Sequence, residues 1–216
     1  MTNSHLFESL TGWGDALGEI KFWKEFPSGP RKDATYNPKI LEGNKEGGKL
    51  LDWWDESIPE QQPMFCAFTI SEDGGDYDYP KPANTSLMTN DHRHRLIRYS
   101  EVLLWYAEAQ ARADGTPNAM AYECINQVRE RAGLTAENNI DLDIILKESA
   151  CEMFGNGYRR MDLRRTGKLV EYNDKYNPHM IGTAAATIGE KLLWPIPQAA
   201  IDANGQLSME DQNPGY

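Results

Sequence analysis

Apolar residues are spread unevenly along the chain. The run RLIRYSEVLLWYAEAQARAD at 95–114 contains neither proline nor glycine, and Leu96, Tyr99, Leu103, Tyr106, Ala107 and Gln110 recur at helical spacing. Ile97, Val102, Leu104 and Trp105 add a second apolar side. A helix apolar on two sides is expected to be sandwiched between neighbours. Glu108 and Arg112 form a surface i,i+4 pair, and Asp114-Gly115 ends the helix. Thr116-Pro117 predicts the start of a second helix, with Thr as cap and Pro at the first position. Its stripe is Ala121, Cys124, Ile125, Val128 and Ala132, closed by Gly133. The short turn makes the two helices antiparallel, a pair of tetratricopeptide size. One such pair cannot bury both faces, so other helices must supply the rest. A third helix is predicted from Asp141, with Leu142, Ile145, Leu146, Ala150, Met153 and Phe154 on one face and Gly155 and Gly157 weakening its end.

On either side the pattern dissolves. Residues 1–94 are broken by FPSGP, EGG and EDGGDYDYP, and MFCAFTI at 64–70 is the best strand candidate. Irregular stretches of that length usually carry binding loops or pack on something else. From 169 to 216 the chain again reads as loop. LLWPIP is too proline-rich for an interior strand, and QAAIDAN is one helical turn. The expected fold is therefore mainly α-helical with long irregular loops and little β. Its three segments are a loop-rich ligand-side region at 1–94, a helical region at 95–168 and an irregular C-terminal segment at 169–216.

Composition narrows the function. The 216 residues include 22 Lys and Arg against 33 Asp and Glu, a net charge of −11. A chain this acidic is repelled by nucleic-acid phosphates and anionic lipid. No stretch approaches the roughly 18 consecutive apolar residues of a membrane-spanning helix. MTNSHLFESL lacks the charged and apolar regions of a signal peptide, so the chain reads as cytosolic or as part of a longer precursor. Cys66, Cys124 and Cys151 are far apart and are expected to be small, reduced core residues. His92 and His94, two apart, share no helix face and are expected at the surface with His5 and His179. No nucleophile elbow, P-loop or dinucleotide fingerprint is present. The acidic loop with Glu72, Asp73, Asp76 and Asp78 lacks EF-hand spacing. It is expected to be solvated, with a calcium site as the alternative.

Specific motifs emerge at 95–134. Arg98, Glu101, Leu104, Ala107, Glu108 and Ala109, followed by Ile125, Asn126, Val128, Arg129, Arg131, Ala132 and Gly133, match a pattern of Arg-x-Ala-Glu-x-x-Leu-x-x-Ala-Glu-Ala, a turn, and Ile-Asn-x-Val-Arg-x-Arg-Ala-Gly. ESACEMFGNGYRRMDLRR keeps Glu148, Glu152, Gly157, Arg159, Asp162, Leu163 and Arg165 of a second pattern. It carries Ser149 and Asn156 where that pattern has Arg and Glu. PIP at 195–197, QNPGY at 212–216, GWG at 12–14 and GPRKDATY at 29–36 add further matches. On these motifs the chain resembles the SusD/RagB family over nearly its whole length, most weakly at 40–94.

Family members are longer, so the resemblance implies the C-terminal part of a protein whose signal peptide, lipid-anchoring cysteine and remaining tetratricopeptide helices lie elsewhere. None of the three cysteines here is that anchor. The resemblance also implies an outer-membrane, cell-surface lipoprotein without catalytic activity or cofactor. Such a protein captures oligosaccharides and sits on a SusC-like TonB-dependent channel. The alternatives are an interaction module that binds only the channel and a secreted glycan-cleaving enzyme. Thirty-three carboxylates always contain candidate catalytic pairs, so they decide nothing.

A sugar site needs flat aromatic rings for the apolar face of the pyranose and fixed polar groups for its hydroxyl rim. Trp13 between two glycines, Trp53 and Trp54 in DWWDES, and Tyr77 and Tyr79 are the ligand-binding candidates, with Trp23 also in loop-like sequence. Trp105 and Trp194 are expected to be packing residues. The basic residues Arg159, Arg160, Arg164, Arg165 and Lys168 are expected to pair with Glu148, Glu152 and Asp162. Glu152 and Arg159, seven apart, are expected on one side of the third helix.

Overall fold

The computed structural model describes residues 17–37, 39–41, 49–56, 61–65 and 96–216. The fold is mainly helical, and its helical centre is α3 (Tyr99–Asp114), α4 (Ala119–Arg131) and α5 (Leu142–Glu152). α3 stops at Gly115, whose φ of 72° is left-handed. α4 begins two residues later than Thr116-Pro117 predicts. Asn118 is the cap, its side-chain oxygen accepting from Ala121 N at 2.8 Å. α4 closes as expected, with Gly133 at φ 74° and Leu134 N donating to Arg129 O. Asp141 caps α5 by accepting from Ile144 N at 2.8 Å. α3 packs on α4 and on α5. Between them Leu104, Ala107, Ala121, Cys124, Ile125, Val128, Ile140 and Ile145 form the core.

α3 is covered on one side only among the described residues. Tyr99, Val102, Trp105 and Tyr106 stay exposed, as do Ala109 and Ala113. The steps 99, 102, 106, 109 and 113 are those of a helix-packing seam. Trp105 is thus on an open face rather than in the core. The chain alone is expected to bind a hydrophobic dye and self-associate at micromolar concentration, and Val102→Lys to reduce both. A monodisperse wild-type chain that binds no dye would contradict this.

Ahead of the helices lie α1 (Ile20–Glu25), α2 (Pro30–Thr35) and four short strands, β1 (Tyr36–Asn37), β2 (Lys39–Leu41), β3 (Leu50–Asp52) and β4 (Met64–Phe65). β1 pairs antiparallel with β4, Tyr36 opposite Phe65, and β2 with β3, Ile40 opposite Leu51. Of the predicted strand at 64–70, Met64–Phe65 is extended and the remainder lies outside the described residues. Gly18 lets the chain pass Pro63, donating to its carbonyl at 2.6 Å. A Cβ there would stand 2.8 Å from that oxygen.

The chain divides into two compact units, Met1–Gly157 and Tyr158–Tyr216. The second unit contains α6 (Arg159–Arg165), α7 (Leu169–Tyr176), α8 (Ala184–Ile188) and α9 (Gln198–Ala203). It is more helical than the loop expected from 169 onward. Its core joins Leu163, Leu169, Ala184 and Ile188. The last residues fold back within the unit. Gln212 bonds both backbone groups of Ile196, and Asn213 donates to Trp194 O at 2.7 Å. Trp194 itself is 67% exposed beneath the Arg160 guanidinium, so it does not have the packing role expected of it.

Candidate functional site

The tryptophan pair sits where β3 ends. Asp55 N donates to Asp52 O at 2.9 Å, closing a turn with Trp53 and Trp54 as its two central residues. Adjacent corner side chains diverge. Trp53 is 5% exposed and packs with Leu51 against Leu17, Ile20 and Trp23, whereas Trp54 is 51% exposed. The three indoles contact one another. Trp23 meets Trp53 edge to face at 5.0 Å and Trp54 at 5.9 Å, and Trp53 meets Trp54 at 5.2 Å. Trp54 is therefore a half-open ring backed by two others, and Trp53 is part of the packed cluster rather than an open platform. The Trp53 indole N–H is buried without an acceptor among the described residues.

Lys32 of α2 holds this cluster. Its Nζ lies 4.3 Å from the Trp23 ring centroid and donates to Trp23 O at 2.5 Å and to Phe26 O at 3.2 Å. Burial lowers the Lys32 pKa, with Asp33 and Cys151 acting in the opposite direction. α1, which carries Trp23, is capped by Glu19, whose carboxylate accepts from Lys21 N and Phe22 N. Phe22, Phe26 and Tyr36 join Phe154 and Cys151 in an aromatic cluster beside α5. Burial, followed by nearby Cys151 and Glu19, raises the Tyr36 pKa. Cys124 and Cys151 are buried and unbridged, and burial pushes the Cys124 thiol up.

Beside Lys32, Arg31 reaches in the other direction. Its Nη1 bonds Glu148 at 2.5 Å and Glu152 at 3.3 Å. Arg129 holds the second Glu148 oxygen at 3.0 Å. Glu152 also receives Arg131 and Arg98, the latter at 3.3 Å, and Arg98 Nη2 donates to Glu152 O at 2.6 Å. Two carboxylates, with side chains 3% and 2% exposed, thus share four guanidiniums. Burial opposes the charge on Arg31, but the Glu148 bond and the neighbouring carboxylates outweigh it and its pKa stands above the ordinary value.

These pairings correct part of the sequence reading. α5 ends at Glu152, Gly155 and Gly157 take left-handed φ values of 76° and 82°, and Arg159 begins a separate helix. Glu152 and Arg159 therefore do not share a helix face. Arg159 stacks over Tyr172 at 4.8 Å. Arg165 pairs with Asp162 at 2.8 Å as expected. Glu108 and Arg112 also pair, at 3.3 Å, with Glu108 buried rather than at the surface.

Of the five ligand candidates, the structure brings Trp53 and Trp54 together. Trp13, Tyr77 and Tyr79 lie outside the described residues, as does the acidic loop with Glu72, Asp73, Asp76 and Asp78. Sequence reasoning left Trp23, Lys32 and Arg31 out of the site. The signal for the last two was present in GPRKDATY, where two adjacent cations follow a helix-starting proline. A separate open pocket of about 450 Å³ lies at the start of α3, lined by Arg98, Tyr99, Ser100, Leu103, Gln127 and Arg131 among others. Among the described residues no group of three or more His, Cys, Asp or Glu is placed to hold a metal ion. No described helix is long and apolar enough to cross a membrane.

A model described as the SusD family matches residues 76–216. The chain belongs to the SusD family. It is 28% identical over 191 residues to "SusD-like protein P38" of Formosa agariphila, a match covering 82% of this chain and 36% of that protein. A SusD superfamily protein from Bacteroides vulgatus superposes at a TM-score of 0.65 with 20% identity, covering 99% of this chain and 48% of the other. A laminarin-binding SusD-like protein superposes at 0.60 with 24% identity, covering 95% and 39%. The chain thus spans less than half the length of these SusD relatives. Five charged residues of the SusD-like motifs, Arg98, Arg129, Arg131, Glu148 and Glu152, meet in this network, together with Arg31.

Proposed function

We propose that this chain serves non-catalytic capture of oligosaccharides at the surface of the bacterial outer membrane, for delivery to a SusC-like TonB-dependent channel. The observation that carries the reading is Trp54, a half-exposed indole held at a turn and backed by Trp23 and Trp53. A pyranose stacks its C–H face on such a ring, and Asp52 and Asp55, at the ends of the turn, supply acceptors for the hydroxyl rim. Membership of the SusD family and the fold shared with a laminarin-binding SusD-like protein support the same reading.

The test is gel retardation of the chain in native gels containing laminarin, amylopectin or pectin, with an assay for released reducing ends. At least one glycan is expected to retard the wild-type chain with no reducing ends released, and Trp54→Ala to run unretarded in it. Retardation by none of them, or equal retardation of Trp54→Ala, would sink the reading. Hydrolysis would return the glycan-cleaving alternative. The open seam on α3 favours a second reading, an interaction module. Channel binding without retardation by any glycan would select it.

A further inference from the structure

Arg31 and Lys32 are neighbours on α2 and act on different partners. Successive helical residues point about 100° apart, so one short helix can hold two elements at once. Arg31 faces α5, where Glu148 and Glu152 accept its Nη1 at 2.5 and 3.3 Å. Lys32 faces α1, donating to Trp23 O and Phe26 O while its Nζ stands over the Trp23 ring. Trp23 in turn touches both Trp53 and Trp54. The apolar cluster of Phe22, Phe26, Tyr36 and Phe154 also holds this segment to α5, but apolar contact is non-directional and sets orientation weakly. Charge-assisted hydrogen bonds are directional.

We propose that Arg31 and Lys32 form a strap that fixes the orientation of the Trp23–Trp53–Trp54 cluster on the helical core. This makes both of them positioning residues for ligand capture. The glycan part of the inference rests on the function proposed above; the strap itself does not. Removing Arg31 leaves Glu148 with Arg129 and Glu152 with Arg98 and Arg131, so the helical core keeps its pairing while the strap is cut.

The experiment uses the full chain with Arg31→Met, Lys32→Met and Lys32→Arg. Its readouts are hydrogen exchange by mass spectrometry, near-ultraviolet circular dichroism and laminarin retardation. In both Met variants, amides at 19–26 and 49–56 are expected to exchange about tenfold faster or more, the order set by loss of a charge-assisted hydrogen bond. Exchange across α3, α4 and α5 stays as in wild type. The tryptophan dichroism weakens, laminarin retardation falls by about the same factor, and Lys32→Arg restores both. Unchanged exchange at 49–56 would overturn the strap. Equal acceleration in α3–α5 would also overturn it, because it would mean a general structural role. If wild type ignores laminarin, or Trp54→Ala is retarded like wild type, the glycan reading fails in that assay while exchange still decides the strap.

Discussion

Replacing Glu152 with alanine should lower the unfolding free energy by about 3–5 kcal/mol, the range for breaking a buried ion pair by removing one partner. The carboxylate is 2% exposed and receives Arg31, Arg98 and Arg131. Its loss takes the paired carboxylate from Arg98 and Arg131, leaves Arg31 with Glu148 alone, and opens a cavity at the end of α5. For a chain of this size the midpoint should drop by roughly 6–20 °C. Arg159→Ala makes the contrast. Its guanidinium lies over Tyr172 on a separate helix, outside the network, and its loss should cost clearly less than that of Glu152. Urea titrations of both variants decide the point. A Glu152→Ala chain within about 1 kcal/mol of wild type, or an Arg159→Ala chain equally damaged, would show the network misassigned.

The adjacent tryptophans should separate as sharply. Trp53→Ala removes a buried ring from a cluster of three indoles, two leucines and Ile20, at a cost of about 3–5 kcal/mol. Trp54→Ala removes a ring that is 51% exposed, so stability should change by roughly 1 kcal/mol or less. Glycan binding should reverse the order of primary effects: Trp54→Ala loses roughly 1–3 kcal/mol of affinity while remaining folded. Thermal midpoints and affinities measured on the same preparations test the division. Two variants equally unstable, or a Trp54→Ala chain binding as wild type does, would end the assignment of Trp54 to the ligand side.

Much of the fold is legible in the sequence because α3, α4 and α5 are local objects. Their stripes, Asp141 and the glycines at 115 and 133 act within a few residues of one another. The first error is of the same local kind. Asn118 outcompetes Thr116 as the cap because its side-chain oxygen reaches Ala121 N. Non-local facts are harder to read. Sequence marks Glu148 and Glu152 as motif residues, yet it assigns them to nearby arginines at 159–165. The chain instead brings Arg31 from 117 residues away in sequence and Arg98 from 54. Spacing along a presumed helix also misled at Gly155 and Gly157, where left-handed backbone ends the register. In the site, DWWDES identifies two tryptophans without saying which is buried. The turn between Asp52 and Asp55 settles that, and only the folded chain supplies Trp23 and Lys32 behind them.

The ion network is wired with more donors than acceptors, and that gives its members unequal tolerance to change. Glu148 keeps one arginine if either of its two is lost, and Glu152 keeps two if any of its three is lost. No single arginine substitution therefore leaves a bare buried carboxylate. The reverse holds for Glu148, whose Arg31 keeps Glu152 and whose Arg129 keeps Glu137 at 3.7 Å, but not for Glu152, whose loss leaves Arg98 and Arg131 no other side-chain carboxylate among the described residues. Drift at Arg98, Arg129 or Arg131 is buffered by redundancy, while Glu152, the last residue of α5, has no such backup among the described residues.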